Sequence, residues 1–252
     1  MKDKQLEIKR YDERAQEILN KKKYKVKIPS YLNVAHEYYF DLFKKLKKKT
    51  NLLEIGAGTG EYTVRLIKMS FNVCATDISS KSVKVLNKRF SKYENFSSKV
   101  ADMEKLPFKN ESFDVICSAG SLSYGDNDLV MNELYRVLKF DGIVVFVDSL
   151  NNSPIYRFNR YLHYLKGNRS KSTLERTADI SLLNKYIKKF GCGKLSFFGS
   201  ITWTFPLLRI FLSEKLLTKF SNWIDLKFNI KESAFKFVSI FRKKNARKPI
   251  KS

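Results

Sequence analysis

Three glycines at alternate positions, Gly56, Gly58 and Gly60, follow the apolar run Leu52-Leu53-Glu54-Ile55 and precede a helical pattern. The stretch reads as strand, tight turn and helix. Alternate glycines let the backbone take positive φ and let a ligand approach the main chain without meeting a Cβ, while the free N–H groups of the next helix face that ligand. Such a turn builds a nucleotide-type pocket. Downstream, Asp77 ends the run Asn72-Val73-Cys74-Ala75-Thr76, and Asp102 follows Lys99-Val100-Ala101. Each acid alone could be an ordinary strand-end carboxylate; together, on successive strand ends, they point at one ligand. A dinucleotide fingerprint would place its last glycine where Glu61 stands, so that cofactor class does not fit.

The order acid-x-Gly-x-Gly-x-Gly resembles motif I of the class I S-adenosylmethionine (SAM) dependent methyltransferases, and the resemblance runs from about Asn51 to Val147. It implies that Glu54, with Gly56, Gly58 and Gly60, fixes the turn and the methionine moiety of SAM. It implies that Asp77, beside Ile78, takes both ribose hydroxyls, since two oxygens on one carboxylate suit a vicinal diol. Asp102 with Met103 would hold the adenine amine, and Ser118 at the end of the fourth strand would complete the cofactor set. Leu106-Pro107-Phe108 and Ser112-Phe113-Asp114-Val115-Ile116 also look like family segments. There are departures: Phe140-Asp141-Gly142 replaces a Pro-Gly-Gly turn, and the loop Ala119 to Asp126 carries no Asn-Pro-Pro-Tyr or Asp-Pro-Pro-Tyr. The missing tetrapeptide argues against methylation of base amino groups, and the lack of a Pro-Cys nucleophile argues against carbon methylation of pyrimidines.

Methyl transfer from a sulfonium needs positioning above all, and a hydroxyl acceptor also needs its proton removed. In an open α/β sheet the ligands lie beyond the carboxyl ends of the strands, which places Tyr124, Asp126 and Asp148 near the acceptor. His163 has the pKa range for a base near neutrality, although a histidine in a basic segment also reads as a surface residue. Tyr156, Arg157, Arg160 and Arg169 suit an acidic or phosphorylated saccharide, or a phosphodiester, through guanidinium contacts and ring stacking. The run Asn151 to Thr173 resembles a segment of methyltransferases of bacterial surface-polysaccharide synthesis. That resemblance implies O-methylation of a sugar-containing acceptor, free, nucleotide-bound or lipid-linked. An RNA methyltransferase, a small-molecule enzyme of the quinone type and a SAM-binding protein without turnover are the rival readings.

The elements that must hold these residues alternate strand and helix from Asn51 to Asp148, which implies an α/β three-layer sandwich with a mainly parallel seven-stranded sheet. Residues 1–50 read as an N-terminal helical latch, with helices around Tyr11 to Arg14 and from Tyr31 to Leu46; residues 51–252 read as the methyltransferase domain. His36 reads as structural. Two insertions interrupt the domain, at about 150–178, where periodicity lapses, and at about 201–231, which reads as a cap over the core. Aromatics mixed with Lys215, Lys219 and Lys227 in the second also suit docking at a membrane interface.

Forty-nine Lys and Arg against 25 Asp and Glu give a net charge of +24, which favours polyanionic partners such as anionic lipid, acidic glycan or nucleic acid. Lys21-Lys22-Lys23, Lys44 to Lys49 and Arg242 to Lys251 concentrate it, and solvated helix faces are the alternative reading of any one cluster. Cys74, Cys117 and Cys192 have neither metal-ligand spacing nor an even count, so no metal and a reducing cytoplasm are expected. The polar start has no signal core, and no apolar run reaches the length of a membrane span.

Overall fold

The computed structural model describes residues 2–21, 30–167 and 170–244. Helices α1 (Lys2–Lys21) and α2 (Ser30–Phe43) precede β1 (Asn51–Ile55), α3 (Thr63–Lys68), β2 (Asn72–Asp77), α4 (Ser80–Phe90) and β3 (Phe96–Val100). Then come β4 (Phe113–Ala119), a 3-10 turn at Leu122–Tyr124, α5 (Asn127–Val137) and β5 (Leu138–Ser149). The rest comprises α6 (Pro154–Leu165), α7 (Lys171–Glu175), α8 (Ile180–Phe190), β6 (Gly191–Phe198), α9 (Phe205–Leu208), α10 (Glu214–Phe228) and β7 (Lys236–Lys243).

The seven strands form one sheet in the order β3-β2-β1-β4-β5-β7-β6, parallel except for β7, which runs antiparallel to both neighbours. This is the mainly parallel sandwich that the alternation of elements implies. Side chains two apart share a face, so Leu53, Ile116, Val144 and Phe146 pack against α5 and α8, whereas Leu52, Val115, Val145 and Val147 pack against α2, α3 and α4. Burial on both faces explains the near-continuous apolar runs of β4 and β5.

Three segments differ from their sequence reading, each for a physical reason. β3 covers Phe96–Val100 and leaves Asp102 beyond its end, because an edge strand carries polar residues such as Ser97 and Ser98 that no apolar pattern reveals. The lapse after Asp148 is helical: α6 buries Tyr156 and Arg160, whose polar atoms hide the periodicity. The expected cap over the core is also turned about, since α10 buries Leu217, Ser221 and Asp225 and exposes its larger apolar side chains.

Asp225 is the anchor of α10. Its carboxylate accepts from Gly199 N–H at 2.7 Å, Ser200 N–H at 3.1 Å and Ser200 Oγ at 2.5 Å. Tyr156 Oη donates from the other side to Gly199 O at 3.0 Å, so one loop after β6 ties α6 and α10 to the sheet. Asp225→Ala strands buried donors and should lower unfolding free energy by about 3 kcal/mol in urea denaturation, while Asp225→Asn should lose less.

Candidate functional site

The three glycines of the β1–α3 turn all take positive φ, 62°, 56° and 88° in order, but for different reasons. A Cβ on Gly56 would lie 2.4 Å from Ser121 Cβ, and one on Gly60 2.4 Å from the Phe90 ring, so these two are glycines of close packing. Gly58 is different: a Cβ there would meet only Glu61 Oε2, at 3.9 Å. The backbone at Gly58 is left-handed and open, which is the space a ligand would fill. Its N–H donates to Asp77 Oδ2 at 2.8 Å, while Ser79 N–H donates to Asp77 Oδ1 at 2.9 Å. One carboxylate therefore links the turn after β1 to the turn after β2.

Above this turn opens a cavity of about 990 Å³. Glu54, Gly56, Gly58, Asp77, Ile78, Asp102 and Met103 line it, together with Gly120, Ser121 and Tyr124 from the loop after β4. Its other side is α1, which contributes Lys4, Glu7, Tyr11 and Arg14. Lys4 Nζ bonds to Asp102 and, at 2.8 Å, to Glu104; Asp12 accepts from Ser79 Oγ at 2.5 Å; the Tyr11 ring meets Tyr124 edge-on at 5.4 Å. α1 thus closes over the cavity through polar side chains.

Most of the residues assigned to the cofactor converge here. Gly60 packs behind the turn, and Ser118 sits behind Ser121, bonded to its hydroxyl at 2.5 Å. Of those assigned to catalysis, Tyr124 lines the cavity. Asp126 instead caps α5, accepting from Asp128 and Leu129 N–H at 3.1 Å. Asp148, buried, accepts from Leu122 N–H at 3.0 Å and so fixes the turn that carries Tyr124. Tyr156, Arg157, Arg160 and His163 belong to α6 and line no part of the cavity; Tyr156 and Arg160 are buried within the fold, while Arg157 and His163 are exposed. Arg169 lies outside the described residues.

Sequence reasoning missed the cavity residues of α1, and Tyr62 with them. The signal was present as a polar stripe, Lys4, Glu7, Tyr11 and Arg14, recurring at helical spacing. His36 stacks on Tyr62 with ring centroids 4.9 Å apart, and burial lowers its pKa to about 3, which keeps the imidazole neutral.

The cavity concentrates carboxyl groups. Burial raises Glu54 from near 4.5 to about 8, with the charges of Glu61 and Asp77 adding to the effect, and its Oε2 has no hydrogen-bond partner. Burial also raises Asp77, against the two backbone N–H groups that favour its ionised form. Among the described residues no group of His, Cys, Asp and Glu could hold a metal ion, and all three cysteines are free.

This sheet order, with its glycine turn at the carboxyl end of the first strand, defines the class I SAM-dependent methyltransferase fold. Within it, residues 53–146 match the family model described as a methyltransferase domain. A demethylmenaquinone methyltransferase of Lactobacillus johnsonii is 34% identical over 125 residues, which cover 46% of this chain and 51% of that protein. The chain thus spans about half the length of that curated relative. Among solved structures, a putative sarcosine dimethylglycine methyltransferase of Galdieria sulphuraria superposes with a TM-score of 0.56 at 18% identity, covering 85% of each chain. Phosphoethanolamine N-methyltransferase 2 of Haemonchus contortus, solved with SAM, gives 0.59 at 16% identity over 86% of this chain and 56% of that one.

The residues present fit SAM. Its cationic methionine end suits the buried carboxyl group of Glu54, whose Oε2 has no hydrogen-bond partner; its ribose suits Asp77; and the open face of Gly58 leaves room for close approach. Two outcomes follow. Gly60→Ala should destabilise the fold through the clash with Phe90, whereas Gly58→Ala should keep the chain folded but weaken SAM binding on the order of tenfold, as read by calorimetry and thermal melts. Since Glu54 has a raised pKa in the folded state, its contribution to stability is complete below about pH 4.5 and declines as pH rises to about 8. Glu54→Gln should therefore flatten the fall in urea midpoint over that range in the cofactor-free chain.

Proposed function

We propose that this chain transfers the methyl group of SAM to an oxygen of a small amphiphilic acceptor, one with a hydroxylated polar head and an apolar portion. The observation that carries the cofactor assignment is the open left-handed Gly58, bonded to Asp77, in the same cavity as the unpaired Oε2 of Glu54. Bound SAM supplies a methyl already activated by its sulfonium. The work of this chain is to hold the acceptor in line and dry, and the tyrosines that line the cavity, Tyr11, Tyr62 and Tyr124, support that role. Burial raises Tyr11 far above its ordinary value and Tyr62 to about 12, so both remain hydrogen-bond donors at neutral pH.

A sugar hydroxyl meets this description. The likeness to a demethylmenaquinone methyltransferase supports a second acceptor class, a quinone-type head, in which the methyl would go to a ring carbon and not to an oxygen. A sugar-containing acceptor of surface-glycan synthesis, lipid-linked, is supported by the hydroxyl-rich segment of α7, whose buried Thr173 Oγ1 donates to the cavity residue Glu7 at 3.3 Å. The net charge of +24 favours RNA as the competing substrate.

Labelled methyl from SAM should enter the solvent-extractable lipid fraction of a cell extract. A label lost to ribonuclease would overturn this reading, and one confined to water-soluble compounds would remove the lipid portion. Tyr124→Phe should lower turnover roughly tenfold or more at unchanged SAM affinity. His163→Ala, outside the cavity, should leave turnover unchanged.

A further inference from the structure

The exposed large apolar side chains are not scattered. All of those among the described residues except Leu6, Val100, Leu129 and Phe140 lie between Ile155 and Leu165 or between Trp203 and Phe228. Both segments contain helices whose amphipathy is inverted. In α6 the buried positions are Tyr156 and Arg160, while Ile155, Phe158, Leu162 and Leu165, spaced three and four apart, face outward at 47%, 64%, 37% and 61% exposure. In α10 the buried positions are Leu217, Ser221 and Asp225, while Leu216, Phe220, Trp223 and Leu226 are 52–63% exposed. Ile210 and Phe211, between α9 and α10, are 72% and 77% exposed.

Soluble helices turn such stripes to the core. Here each helix is instead fixed by polar anchors, Tyr156 and Asp225, that hold opposite sides of the same loop, Gly199 to Thr202. That loop follows β6, and the register Ser149–Lys236–Phe198 places the end of β6 level with the end of β5. The anchored ends of both helices therefore lie at the carboxyl edge of the sheet, the edge that carries the cavity.

We infer that the outward faces of α6 and α10 form a surface that docks on an anionic lipid bilayer. The chemistry of the stripes favours this occupant. Lys215, Lys219 and Lys227 flank or punctuate the α10 stripe, and Lys227 Nζ lies 5.0 Å over the Trp223 ring, the pairing of aromatic and cation that suits the headgroup layer. Among the described residues no helix is long and apolar enough to cross a membrane, so contact is interfacial. A second copy of this chain fits poorly, because each would bring a net charge of +24 to the contact. The inference does not rest on methyl transfer and stands or falls without it.

Flotation of the full chain with vesicles of mixed phosphatidylglycerol and phosphatidylcholine, beside vesicles of phosphatidylcholine alone, tests it. Binding to the anionic vesicles is expected, weakened by salt. It should fall on the order of tenfold in a Phe220→Ser, Trp223→Ser variant, whose exposed positions leave the thermal melt unchanged. Neutralising Lys215, Lys219 and Lys227 to Gln should weaken it separately. Absence of flotation, flotation indifferent to the Phe220 and Trp223 changes, or a dimer in sedimentation that those changes abolish would each overturn the proposal.

Discussion

The site is organised by a single buried carboxylate. Asp77 receives the N–H of Gly58 through one oxygen and that of Ser79 through the other, joining the turns that follow two adjacent strands. Charge-assisted bonds of this kind offset part of the cost of burying the carboxylate. Ser79 passes the constraint on: its hydroxyl accepts from Ser82 N–H to cap α4 and donates to Asp12 on α1. The glycine turn, the entry to α4 and the helix over the cavity are thus referenced to one side chain.

The electrostatics of the interior run against those of the whole. A chain with a net charge of +24 gathers Glu7, Glu54, Glu61, Asp77 and Asp102 around one cavity, where low polarity strengthens each interaction. Lys4 and Arg14 on the same lining pair with Asp102 and Glu61, so the local balance is close to even and the excess of positive charge lies on the outer surface. The two fields need not compete, because they act over different distances: the inner one through buried contacts, the outer one over roughly a Debye length of 8–10 Å.

How much of this was legible in the sequence depended on which atoms did the work. Gly56, Gly58 and Asp77 could be placed at the turn because a left-handed turn and a strand-end acid each demand particular residue types, although the backbone N–H groups of Gly58 and Ser79 that Asp77 accepts from leave no mark in the sequence. The strand core was equally plain, since burial on both faces leaves continuous apolar runs. The helix α1 was read as a latch, but its cavity residues were not: it meets the cavity through Lys4, Glu7, Tyr11 and Arg14, and a search for apolar faces passes over them. The same search misread α6, whose inward residues are Tyr156 and Arg160, and took the apolar residues of α10 as core when they face outward. His163 drew attention by its chemistry, but only three-dimensional placement could set it apart from the cavity.

The position of β7 decides how the two halves of the sheet are joined. It is the last strand in sequence, yet it occupies an interior place between β5 and β6. Until Lys236–Lys243 arrive, β5 ends the parallel part of the sheet with a bare edge, and β6 has no neighbour at all. The five-strand parallel unit β3-β2-β1-β4-β5 is complete without β7, whereas the loop that anchors α6 and α10 hangs from β6, which joins the sheet only through β7. The cofactor-binding half is thus complete in its own strand pairings, and the half that bears the apolar helices joins it only through β5–β7, the pairing most distant in sequence within the sheet and the non-local kind that tends to form slowly.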